Sequence, residues 1–124
     1  MIVEKMAWIT REIVQANPDK IFLFGDNLQR VGMGGQAGAM RGEPNAVGIP
    51  TKKTPSGDEA AFFNDDEVVE NCEAIEEALQ QLSWIATDTV VIPADGLGTG
   101  LAELDKRAPQ TFAYLEQRLA DLEN

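Results

Sequence analysis

The sequence predicts a compact three-layer α/β/α domain on a largely parallel, mixed sheet, and three features carry that expectation. The apolar runs Ile21-Phe22-Leu23-Phe24 and Thr89-Val90-Val91-Ile92 lack polar alternation, as strands covered on both faces require. Segments with helical apolar spacing separate them, and strands alternating with helices favour parallel pairing. Glycine supplies the third feature: ten of the 11 fall between Gly25 and Gly48 or between Gly96 and Gly100, just beyond the two runs. Ligands of such sheets sit beyond the carboxyl ends of the strands, which places both clusters on one rim.

Each element has its own justification. Ile9, Ile13 and Val14 recur at helical spacing before Asn17 and Pro18, so the chain is expected to open on an amphipathic helix. The first apolar run is the next strand, and residues 35–41 form a short helix. Ala46-Val47-Gly48-Ile49 reads as a strand stopped by Pro50, and Thr54-Pro55-Ser56-Gly57-Asp58 as a loop. Val68, Cys72, Ile75, Leu79 and Leu82 mark one face of a long helix, with Asn64, Asp65 and Asp66 at its N-terminus. The second apolar run follows. A last helix carries Phe112, Leu115, Leu119 and Leu122, with Pro109 in its first turn. No linker or repeat interrupts residues 1–124, and one domain is expected.

Composition narrows the function. Ten Lys+Arg against 21 Asp+Glu give a net charge of −11, which disfavours nucleic-acid backbones and membrane surfaces as partners. The chain has no His, which excludes imidazole bases and His-ligated metals, and Cys72 alone forms neither an internal disulfide nor a thiolate cluster. No metal or cofactor is expected. Without a membrane-length apolar run or a signal-peptide pattern, a reducing cytoplasmic location is expected.

Three segments could carry chemistry. Gly25-Asp26-Asn27 with Gly32-Met33-Gly34-Gly35-Gln36-Ala37 is a glycine-rich turn opening a helix, where unpaired amides can hold an anion without a lysine. Asp26 and Asn27 offer polar atoms for sugar or amide edges, or else form an Asx-turn leaving the strand. Thr51-Lys52-Lys53 places two of the few cations at a strand end, where a desolvated amine could act as a nucleophile. Asp95-Gly96-Leu97-Gly98-Thr99-Gly100-Leu101 is the second glycine turn; a GxxxxGK[ST] phosphate loop is absent, which argues against an NTPase.

Asn27 followed by Gly32, Gly34 and Gly35 resembles the NAAN…GGG segment of macrodomains, the ADP-ribose-binding modules, and Pro93 to Leu101 is similar to their second phosphate loop. The order TKK at 51–53, long helix, strand and Leu97-Gly98-Thr99-Gly100-Leu101 looks like the terminal ADP-ribose protein glycohydrolases. The resemblance covers residues 20–108 and implies a macrodomain-like fold that binds ADP-ribose or an ADP-ribosylated protein. It implies binding by Gly25, Asp26, Asn27, Gly32, Gly34, Gly35, Gln36, Thr51, Lys52 and residues 96–101, that is Gly96, Leu97, Gly98, Thr99, Gly100 and Leu101. In that subclass a lysine attacks the anomeric carbon of the distal ribose and an aspartate assists proton transfer. Lys52 matches the lysine, or Lys53 with a one-residue slip, and Asn27 is the other residue placed near the chemistry. The aspartate position is Ala102, for which Asp95, Glu103 or Asp26 could substitute. A non-catalytic binder is the competing class, and a protein-interaction module without ligand the third.

The remaining expectations are structural. Cys72 is placed in the core, Glu70, Glu73, Glu76 and Glu77 on a solvated helix face, Phe62-Phe63 near the ligand or else capping a core edge, and Trp8 and Trp84 in the core or an interface.

Overall fold

Residues 1–123 are described by the computed structural model, in which strands and helices alternate. In chain order they are β1 (Ile2–Met6), α1 (Arg11–Ala16), β2 (Ile21–Asn27), α2 (Ala37–Met40), β3 (Ala46–Lys52), α3 (Val68–Gln80), β4 (Thr89–Pro93), α4 (Leu104–Arg107) and α5 (Pro109–Asp121). The sheet order is β1-β4-β2-β3, and each neighbouring pair runs parallel. Antiparallel pairing among the described residues is one isolated bridge, from Lys52 at the end of β3 to Phe62. No helix among them is long and apolar enough to cross a membrane.

The two apolar runs are divided between two cores by the two-residue period of a strand. Ile21, Leu23, Val90 and Ile92 point to one face, against Ile75 and Leu79 of α3 and Leu115 and Leu119 of α5. Phe22, Phe24 and Val91 point to the other, against Ile9, Val14 of α1, and Ala37 and Met40 of α2. Burial on both faces is why polar residues are missing from these strands, and it makes the α/β/α layering.

Several local expectations are corrected. The chain opens on β1, not on a helix. β1 is a half-exposed edge strand whose charged Glu4 and Lys5 hid its strand character, and α1 has only six residues. Pro50 lies inside β3 because β3 is the opposite edge, where a missing ladder donor can be tolerated. The buried face of α3 is Asn71, Ile75, Ala78 and Leu79, which leaves Cys72 half-buried at its margin. Asn71 is accommodated there because its amide donates to the Asn64 carbonyl and to Thr111 Oγ1. Phe63 belongs to the core, and Phe62 is buried beneath the Lys52 and Arg107 side chains, so neither ring meets the rim cavity. Trp8 and Trp84 are 64% and 84% exposed.

Candidate functional site: a cavity between two glycine turns

The chain leaves β2 toward α2 on one face of the sheet and leaves β4 toward α4 and α5 on the other. Adjacent strands whose connections diverge open a crevice at their carboxyl ends. A cavity of about 590 Å³ occupies this position. It is lined by Gly25, Asp26, Asn27, Gly32, Gly34, Gly35, Gln36, Thr51, Lys52, Asp95 and the 96–101 turn, as expected from the sequence, but not by Lys53, Phe62, Phe63 or Glu103. Trp8, Val31, Arg41 and Pro55, to which the sequence gave no ligand contact, also line it, as does Ala102, the position matched to the aspartate.

The two glycine turns touch. A Cβ on Gly25 would lie 3.7 Å from the Gly98 amide nitrogen and 3.4 Å from Thr51 Oγ1, and one on Gly34 would lie 3.3 Å from Leu101 Cδ1. Gly98 has no substitute, since its φ is +83° and a Cβ would stand 2.9 Å from that of Leu104. Among the described residues, the amides of Gly34, Gly35, Gly98, Thr99 and Gly100 donate to no backbone carbonyl, so they remain free for an outside acceptor.

Below the first turn lies an ionic cluster. The Asp26 carboxylate is buried, accepting from Arg41 at 2.5 and 3.2 Å and from Arg30 at 3.2 Å. Gly48 makes room for it, because a Cβ there would collide with the Asp26 side chain. Two guanidiniums around one carboxylate leave a local positive charge in a chain of net charge −11. Arg41 also donates to the carbonyls of Gly32 at 2.7 Å and Val31 at 3.2 Å, holding those oxygens on its own side of the turn.

Several of the expected side chains are engaged in shaping the site. Asn27 donates to the Val31 carbonyl at 2.7 Å and accepts the Gln29 amide at 3.0 Å, which is the Asx-turn geometry. Gln36 exchanges a reciprocal pair of hydrogen bonds with the Ile9 backbone, at 2.9 and 2.8 Å. Thr51, buried, donates to the Asp26 carbonyl at 3.3 Å. Thr99 closes its own turn on the Asp95 carbonyl, and the Asp95 residue is exposed.

Of the two lysines, only Lys52 lines the cavity. Its Nζ donates to the Ser56 carbonyl at 2.7 Å and lies 4.5 Å from the Phe62 ring centre. Lys53 is turned to Glu67, at 2.5 Å. Ala102 is on the cavity wall, whereas Glu103 pairs with Arg107, whose hydrogen bond holds the Glu103 carboxyl below the usual carboxylate range. Arg41 is the contributor that the sequence concealed: it reaches the turn from the far end of α2, a tertiary placement with no local signal.

A family model described as a family of unknown function (DUF7831) matches residues 4–118. The chain belongs to this family. The match runs from β1 into α5, so the cavity lies wholly within the DUF7831 span. No curated protein and no solved structure matches the chain.

Proposed function

We propose that the rim cavity binds ADP-ribose or a related ADP-ribosyl metabolite, with the diphosphate against the amides of Gly34, Gly35 and residues 98–100. The observation that carries this reading is the contact between the two glycine turns, which puts residues with free amides from both turns around one cavity. Backbone donors of this kind hold phosphates without side-chain cations. The surplus charge of Arg30 and Arg41 over Asp26 adds attraction where the chain as a whole would repel an anion. A volume of about 590 Å³ suits a small-molecule site. The absence of disulfide chemistry fits a reducing cytoplasm.

Binding without catalysis is the form the geometry supports best, because the position matched to the aspartate is Ala102, the Asp26 carboxylate is tied up by Arg30 and Arg41, and the one other carboxylate lining the cavity among the described residues, Asp95, is exposed. Lys52 favours a second reading, hydrolysis of an ADP-ribosyl ester on a protein. There its ε-amine, after losing a proton to solvent, would attack the anomeric carbon of the distal ribose and break its bond to the glutamate, which leaves as a carboxylate; water would then cleave the ribosyl–lysine adduct, freeing ADP-ribose and the amine.

Calorimetry with ADP-ribose tests the first reading: saturable heat is expected, and none at millimolar ligand, the limit of about −4 kcal/mol of binding free energy, would contradict it. Release of ADP-ribose from glutamate-modified protein tests the second. Equal release by wild type and Lys52→Ala would remove the lysine mechanism.

A further inference from the structure

Trp8 is the one aromatic side chain lining the cavity among the described residues, and it is 64% exposed. An indole normally has much of its surface covered. Its backbone, in contrast, is firmly mounted. The Ala94 amide donates to the Met6 carbonyl at 2.8 Å, tying the end of β1 to β4. On the other side, Gln36 holds both the N–H and the carbonyl of Ile9, whose side chain is fully buried. A rigid mount carrying an uncovered ring at the mouth of a cavity is a ready stacking face.

Sheet order gives this ring a direction. The carboxyl ends of the strands present, from one edge to the other, Trp8 after β1, the 96–101 turn after β4, the 25–35 turn after β2 and Lys52 at the end of β3. Three strand spacings span roughly 14 Å. The series runs aromatic face, two amide-rich turns, cation.

We propose that Trp8 stacks on the heteroaromatic base of a nucleoside diphosphate, which fixes the ligand with its base over β1, its diphosphate over β4 and β2, and its distal sugar toward Lys52. This deepens the binding reading above and rests on it. The ligand class is thereby a nucleoside diphosphate derivative, as against a bare phosphate or a sugar phosphate.

Tryptophan emission tests the assignment. The chain has two tryptophans, and Trp84, 84% exposed and away from the cavity, can be replaced. In Trp84→Phe protein, ADP-ribose is expected to quench the remaining Trp8 emission along its binding isotherm. Trp8→Ala is expected to weaken ADP-ribose about tenfold, the scale of one base–aromatic stack, while Trp8→Phe keeps most of the affinity. Inorganic pyrophosphate, which has no ring, should bind Trp8→Ala as it binds wild type. Unchanged ADP-ribose affinity in Trp8→Ala would overturn the stacking and leave the diphosphate reading standing. An equal loss for pyrophosphate would overturn it too, since the substitution would then have loosened the whole cavity. Absence of ADP-ribose binding to wild type would overturn both.

Discussion

Gly34 and Gly98 stand across one cavity, yet their substitutions should fail in different ways. At Gly34 an added Cβ meets only the flexible tip of Leu101, at 3.3 Å, and φ is not in the left-handed region. Gly34→Val is therefore expected to keep the wild-type melting temperature while abolishing calorimetric ADP-ribose binding, because its methyls fill the space the diphosphate needs. At Gly98 a positive φ coincides with a 2.9 Å approach to Leu104 Cβ. Gly98→Ala should lower unfolding free energy by about 1–3 kcal/mol, measured by urea denaturation. The glycines of the site were legible in the sequence because their chemistry is local: they are rare elsewhere and crowd behind two strands. Trp8 and Arg41 were not, since nothing adjacent to either in the chain says that folding brings it to the rim.

The helices hold together through pairs that no single periodicity reveals. Asp65, which reads from sequence as a cap for its own helix, instead accepts the amides of Gln110 and Thr111 at 2.8 and 3.1 Å and caps α5. Asn64 caps the turn ahead of α3, accepting the Asp66 amide at 2.9 Å. Glu76 was placed on a solvated face, but it is half-buried and joins α3 to α5 through Arg118 and Tyr114. The Arg118 hydrogen bonds, helped by that of Tyr114, lower the Glu76 carboxyl from its usual 4.5 to about 2. A carboxyl whose folded pKa lies below the unfolded one stabilises fully above the unfolded value and loses that contribution as pH falls through the folded one. Urea midpoints should therefore fall between pH 4.5 and about 2, and Glu76→Gln should flatten the decline in that window. An unchanged slope in the variant would remove Glu76 from the account of acid stability. β1 was missed for a related reason: an edge strand with one face in water carries charges, and its pairing partner lies more than 80 residues away, as Ile2 opposite Thr89 shows.

The sheet topology unites these features. Apolar runs buried on both faces announced the layers, and strand ends followed by glycines announced the rim. Which turn neighbours which depends on β4 inserting between β1 and β2, a long-range choice with no signature in either run. That insertion brings residues 34 and 101 together at one cavity where, on the proposed reading, an acidic molecule seats an anion. The central claim is that the two turns grip one diphosphate together. An amide-resolved NMR titration with ADP-ribose addresses it most directly. The account predicts that the Gly34, Gly35, Gly98 and Gly100 amide signals move together along one isotherm. Shifts confined to a single turn, or two turns responding with different affinities, would contradict it.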